Sequence, residues 1–335
     1  MDIHTSGLFK RFWMRPEKPM RLSTKSIAAV FASPVGILFL AGFLWSFSGI
    51  LIKLLNCNAF VIAGARGGIA AIVQFAYLWS IGAKVQLPKG PIQWLGVAAF
   101  VSNIFLLVFA FQLTSAANAV FLHYSGIILV AFVAPRLLKE NTTKYDCLAV
   151  CFALAGIYLL VGTQLESKTQ IGNILGVFCG ITFAVMQLCW RYVGKTRNHI
   201  DLINVCLISD VITFLVSIIT VTFFAPAGNI NLSHNWSLFI ALGIIPWALP
   251  NILECCVIGK VQAVKAMIAT MLDPLFTAIW PMLILSEFPT VWGYTGCALI
   301  LAAIVVSQYT ELKAQKTLAD ISSRREDTFA KVAVK

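Results

Sequence analysis

A chain of 335 residues that is 59% apolar and only 12% charged cannot be a water-soluble globule, where roughly 45–50% apolar and about 25% charged residues are usual. Its net charge of +11 invites a nucleic-acid partner, but the Lys and Arg residues gather in short segments between apolar runs. Membrane topology and anionic lipid headgroups account for them there, and no nucleic acid is expected.

Residues 1–34 form a basic leading segment in which Phe9, Phe12 and Trp13 alternate with Lys10, Arg11 and Arg15. That mixture suits a helix lying in the headgroup layer, and a disordered basic tail is the competing reading. The lead has no cleavable signal pattern, so the first apolar run is expected to remain. Ten apolar runs follow, at about 35–55, 59–81, 93–113, 116–137, 145–163, 171–192, 202–224, 236–258, 264–285 and 290–309. Crossing a membrane takes roughly 20 such residues, and continuous apolarity without alternation selects helices over a barrel. The expected fold is an all-α integral membrane protein of ten transmembrane helices, closed by a soluble tail at 310–335.

Charge fixes the orientation. With the first residues inside, the cytoplasmic segments hold 22 of the 25 Lys and Arg residues, a bias that places both termini in the cytoplasm. The expected location is the plasma (cell inner) membrane. The chain is also internally duplicated. A shift of 147 carries Ala119 onto Ala266, Glu140 onto Glu287 and Tyr145 onto Trp292, with one residue slipped between. A shift of 138 carries Gly42 onto Gly180, Trp45 onto Phe183 and Lys53 onto Arg191. Two repeats, 35–163 and 171–309, therefore hold five helices each. An odd number sends the second through the membrane in the opposite sense, the inverted-topology plan of secondary transporters.

Polar residues inside the apolar runs mark candidate sites, because a charge at a helix centre costs roughly 2.5–3.5 kcal/mol on insertion scales and usually faces a cavity or a partner. In the first run Trp45, the repeat mate of Phe183, is a candidate cavity wall. Arg66 lies in GARGG, where Gly64 and Gly68 permit close helix approach. It anchors a substrate carboxylate, pairs with Asp210, or snorkels to the nearby membrane edge. His123 maps to Thr270 under the repeat shift, so the two are expected to face each other across the pseudo-twofold axis unless a backbone carbonyl satisfies the His, and Gly126 falls opposite Asp273–Pro274, a candidate hinge. In the eighth run Pro246 and Pro250 are spaced to bend the helix, with Asn251 and Glu254 following on one face. Glu254 is near the cytoplasmic end, and a solvated role competes with a buried one. The sharpest feature is Asp273, because Pro274 disfavours helical geometry there and removes the backbone partner of the Thr270 carbonyl. A carboxylate beside a freed carbonyl suits an ammonium group or a proton; capping of a half-helix is the alternative. Pro246, Pro250 and Pro274 join Gly126 as hinge candidates.

Nine cysteines and four scattered histidines show no metal-ligand spacing, and the cysteines read as packing residues. Phosphate-binding glycine loops, nucleophile elbows and paired carboxylates are missing too, so no catalytic residue, metal or cofactor is expected.

Taken in order, FLWSFSGILIK at 43–53, Arg66 in the second run, AANA at 116–119, the Glu after each fourth helix (Glu140, Glu287) and LDP at 272–274 resemble the drug/metabolite transporter superfamily, in its ten-helix EamA-type branch. The chain departs from that pattern at Ser125-Gly126, where the family commonly has Ser-Pro. The resemblance implies a carrier of small organic solutes, often an exporter, working by alternating access. Joined to the residue reading, it gives the expectation of a secondary-active carrier with amino acids or related amines as the leading substrate class, exported or exchanged against a proton or counter-solute. The alternative is an integral-membrane enzyme acting on a lipid-soluble substrate, which would need clustered acid–base residues near one membrane face.

Overall fold

The computed structural model describes residues 33–55, 57–114, 116–140, 143–161, 170–223, 232–284, 291–292, 294–307 and 309. The basic leading segment, the tail after 310 and Glu287 lie outside these residues, as does the side chain of Lys53. Among the described residues every regular element is helical: α1 (Pro34–Trp45) and α2 (Phe47–Leu54), α3 (Ala59–Ser80), α4 (Pro91–Leu113), α5 (Ala116–Tyr124) and α6 (Ile127–Leu137), α7 (Lys144–Val161), α8 (Gln170–Thr196), α9 (His199–Phe223), α10 (Leu232–Gly243) and α11 (Leu249–Val257), α12 (Ala263–Ala269) and α13 (Leu272–Ile284), and α14 (Tyr294–Ser307). Six helical stretches are long and apolar enough to cross a membrane. The other four apolar runs are carried by α5–α6, α7, α12–α13 and α14.

Local chemistry sets the boundaries. Ser33 caps α1 by accepting from the Gly36 N–H at 3.0 Å, with Pro34 opening the helix, and Asn58 caps α3 through the Phe60 N–H. Pro91 opens α4, where its missing N–H costs nothing. After α3, Gly82 takes φ +68°, and the Gly82 and Ala83 N–H groups return to Trp79 O and Leu78 O, the usual glycine closure of a helix.

Among the described residues four of the ten runs are broken, and each break has a cause. Helix α1 gives way to α2 at Ser46, whose hydroxyl donates to Phe43 O at 2.6 Å. The fourth run breaks at Ser125-Gly126 without a proline: Ser125 donates to Leu122 O, and the Gly126 N–H reaches back only three residues, to His123 O. The eighth run passes through a π turn at Ile244–Ala248, in which the Leu249 N–H spans five residues to Ile244 O. Pro246 and Pro250 lack the N–H groups a regular helix would use there. The ninth run breaks at Thr270-Met271, just ahead of Pro274.

The two repeats pack reciprocally. Gly42 of α1 abuts Thr270 O, so that a Cβ there would stand 2.7 Å away, while its repeat mate Gly180 of α8 abuts Leu122 O. The first helix of each repeat thus presses a glycine against the broken fourth helix of the other. Helix α3 lies along α9, with Gly64 against Ser217, Gly67 against Asp210 O and Gly68 against Phe214. Gly156 of α7 meets Gly296 O and Ile300 of α14. Such small-residue faces let backbones approach where no hydrophobic force distinguishes helix from lipid. Outward faces carry Ile72, Phe75, Trp79, Phe214, Phe223 and Val305, all exposed, whereas Arg66, Asp210 and Glu254 are fully buried. This inverted polarity suits a lipid surround and no aqueous one.

One end of the bundle, which carries the basic loops, is tied shut. Arg191 Nε contacts Glu140 Oε1 at 2.6 Å, its Nη1 donates to Ile258 O, and Glu140 Oε2 accepts the Ala263 N–H at 2.9 Å. Lys195 donates to Leu138 O. Gly194 and Gly259 touch backbone to backbone. Together these contacts join the end of α6, the end of α8 and the turn leading into α12.

Candidate functional site

The breaks converge on one cavity at the centre of the bundle, narrow and enclosing about 590 Å³ of unfilled space, counting what opens outward. Trp45, Ser48 and Gly49 reach it from the α1–α2 break, and His123 and Tyr124 from the end of α5. Phe100, Asn103 and Phe111 of α4 form one wall, with Phe183 of the adjoining α8 beside it. Trp247 of the π turn, Asn251 of α11, and Asp273 and Thr277 of α13 complete it. The repeat mates Trp45 and Phe183 thus line the same space.

Asp273 is the acidic group in that lining. Its Oδ2 accepts from the Tyr124 hydroxyl and its Oδ1 from Thr277 Oγ1, each at 3.0 Å. Neither donor is a helix N–H, so the carboxylate does not cap α13. Among the described residues no cationic side chain comes within ion-pair distance of it. Tyr124 also donates toward Thr270 O at 3.2 Å, and the Asp273 N–H takes the same carbonyl at 3.0 Å. The carbonyl expected to be freed by Pro274 is therefore occupied from within the protein, and Thr270 does not line the cavity.

Behind Trp247 lies a second group of buried charges. The Arg66 guanidinium stands 3.8 Å over the Trp247 ring, and its Nη1 donates to Ser48 Oγ at 3.3 Å. Asp210 accepts from Trp247 Nε1 at 3.0 Å and from Gln74 Nε2 at 2.8 Å. A direct Arg66–Asp210 ion pair is not formed. The indole stands between the two, its face toward the cation and its N–H toward the anion, while Arg66 Nε and Nη2 are buried with no hydrogen-bond partner among the described residues. Arg66 does not snorkel, being wholly buried. Glu254 is likewise buried rather than solvated, with Gln187 Nε2 donating to it at 2.9 Å.

His123 stacks on Phe183, ring centroids 4.0 Å apart, and its Nδ1 lies 3.2 Å from Cys179 Sγ. It does not meet Thr270 across the repeat axis by any hydrogen bond; Tyr124, its neighbour, makes that contact. Of the residues singled out from sequence, Trp45, His123, Asn251 and Asp273 share the cavity, while Arg66 and Asp210 form the layer behind it. Glu254 and Thr270 lie off it. Gly126, Pro246, Pro250 and Pro274 all sit at or beside helix breaks.

Two stretches, 32–162 and 170–309, each match the model of the EamA-like transporter family. The chain belongs to that family. Its repeats are thereby those of a multi-pass membrane transporter. The uncharacterized membrane protein YMR253C of Saccharomyces cerevisiae is 22% identical over 56% of this chain, a match that spans about half of its own length. An uncharacterized transporter of Archaeoglobus fulgidus is 24% identical over 64% of this chain and 75% of its own. The uncharacterized transporter YoaV of Bacillus subtilis is 20% identical over 80% and 94%. One crystal structure superposes with a TM-score of 0.70 at 17% identity, covering 83% of this chain and 98% of that one, which extends the likeness to the fold.

Sequence reasoning missed Tyr124, Thr277, Asn103 and Ser48, and with them the bridging role of Trp247. A signal was available for three of them: Tyr124 and Ser48 are hydroxyl residues within two positions of a helix break, and Thr277 follows Pro274 by three positions. Asn103 carries the same polar mark inside an apolar run, with its Nδ2 donating to Cys179 O at 3.0 Å.

Proposed function

We propose that this EamA-family protein is a secondary-active carrier that moves amino acids or related amines through the central cavity, exporting or exchanging them by alternating access of its inverted halves. The observation that carries the reading is Asp273. A carboxylate held by two hydroxyls, facing a cavity walled by Trp45, Phe100, Phe183 and Trp247, offers a counter-charge for an ammonium group and aromatic faces for an apolar body and for the cation itself. Asn103 and Asn251 add polar groups at the same walls. In this reading the basic end faces the cytoplasm of the cell membrane. The contacts at Glu140, Arg191 and Gly259 hold it closed, and the breaks at Ser125-Gly126, the π turn and Thr270 are where the helices flex when it opens.

Counterflow of L-phenylalanine in liposomes tests the reading. Wild-type protein should exchange it saturably and should ignore 3-phenylpropionate, which lacks the amine. Asp273→Asn keeps the size but removes the charge and leaves one acceptor oxygen for the two hydroxyls, and should lower counterflow at least tenfold with the protein still folded. Equal counterflow by wild type and D273N would move the site away from Asp273.

A further inference from the structure

The carboxylates buried in the bundle differ in how they are satisfied. Asp210 has two donors and a nearby guanidinium, and Asp273 has two hydroxyls and an open cavity. Glu254 has one donor, Gln187 Nε2 on Oε1, while its Oε2 is buried with no hydrogen-bond partner. No cationic side chain among the described residues comes within ion-pair distance of it. An ionised carboxylate left in that state is costly, and the cost disappears when it holds a proton.

Position gives this a use. Glu254 is three residues beyond Asn251, which lines the cavity, and four before Ile258, where Arg191 ties the basic end. It sits one helical turn from each. Titratable groups facing it are Tyr124 from α5, Cys206 from α9 and its own neighbour Cys255. Asp210 of α9 lies near the same cysteines, and α1 contributes no titratable residue. Gln187 is suited to both protonation states: its Nε2 donates to a carboxylate, and after a half-turn of the amide its Oε1 accepts from a carboxylic acid O–H.

We propose that Glu254 is a proton-exchanging site between the cavity and the basic end, taking a proton through the cavity when it faces the other way and giving it up to water when the basic end opens. The coupling part of this statement rests on the carrier reading given above. Its role is separate from that of Asp273, which meets the solute.

Two measurements test it. The first needs no solute: pH-difference infrared spectra of the purified protein in lipid nanodiscs should show a titrating carboxylic-acid C=O band that is lost in Glu254→Gln and displaced in Gln187→Met, which removes the amide but keeps the bulk. Identical spectra for wild type and E254Q would overturn the proposal, and the Q187M band shift ties the signal to this pair even where E254Q folds poorly. In the second, liposomes bearing a pH gradient, with the membrane potential clamped at zero, should accumulate L-phenylalanine about tenfold per pH unit for one proton exchanged. E254Q should keep counterflow and lose that accumulation. Undiminished accumulation by E254Q also overturns the proposal. If wild type carries no phenylalanine, the amine-carrier reading fails by itself, and the infrared comparison alone decides whether Glu254 exchanges protons.

Discussion

Glu140→Gln should loosen the basic end without unfolding the bundle. In the structure Glu140 accepts from two donors on different elements, Arg191 Nε at 2.6 Å and the Ala263 N–H at 2.9 Å. Both charged side chains are nearly buried, at 8% and 6% exposure. Glutamine has one acceptor oxygen to offer them. Its amide group must face either the Arg191 or the Ala263 donor, and the charge opposite the guanidinium is gone. Removing one partner of a buried ion pair costs about 3–5 kcal/mol. Glutamine keeps one hydrogen bond, which places this change at about 3 kcal/mol, or roughly a 100-fold shift in a local opening equilibrium. Hydrogen–deuterium exchange reads that opening directly. Ala263 is the first residue of α12, and its N–H has no intrahelical acceptor, so its protection reports the Glu140 contact. Peptides covering 191–199 and 258–266 should lose protection by roughly 100-fold in E140Q, while peptides from α3 and α9 stay unchanged. Exchange within threefold of wild type at 258–266 would show that the basic end is held by backbone packing at Gly194 and Gly259, and that the ion pair contributes little.

The orientation assigned from loop charge predicts that an impermeant maleimide labels Gln86→Cys from the cytoplasmic side and the native Cys57 from the opposite side; labelling of both from one side would refute it. Gly42→Ala and Gly180→Ala each drive a Cβ into a facing carbonyl and should each lower stability in detergent by about 1–3 kcal/mol, whereas Gly90→Ala, which meets nothing within 4 Å, should be neutral. Pro246→Ala restores an N–H inside the π turn and should let the eighth run relax toward regular helix, carrying Trp247 out of register with Arg66 and Asp210. Tryptophan fluorescence and a slowed counterflow rate with little loss of folded protein are the expected readouts, and an unchanged spectrum and rate would make that proline a packing residue.

The apolar runs were legible because the bilayer imposes one requirement on all of them, a continuous stretch long enough to satisfy its own backbone. Run boundaries read from sequence fall within a few residues of the helices at α3, α4 and α9. The repeat was legible for a related reason. Gly42 and Gly180 are constrained by the same close approach to a broken partner helix, so each half retains the mark. What composition could not give was the interior of the breaks. Pro274 announces a disrupted ladder, yet where the Thr270 carbonyl finds its new partner depends on Tyr124, 146 positions away in the other repeat. The break at Ser125-Gly126 has no proline to announce it. It follows from a serine donating to its own helix and from a glycine pressed on Gly180, and only the packed structure supplies the second half of that cause.

The same limit applies to the buried charges, and there it has a mechanistic consequence. From sequence, Arg66 and Asp210 invite a direct ion pair, because opposite charges in hydrocarbon gain most from contact. The structure interposes Trp247, which is itself a wall of the cavity. Opposite charges in contact would bind α3 to α9 alone. With the indole between them, the pair instead holds the π turn of the eighth run, and it does so through a side chain whose other edge faces the solute space. Any movement of Trp247 made to admit a solute then weakens a cation–π contact and a charge-assisted hydrogen bond together, at a helix segment whose ladder is already irregular. In the carrier reading proposed above, that arrangement would join occupancy of the cavity to the conformation of the proline-rich turn linking α10 to α11, with no change in the charge of either Arg66 or Asp210.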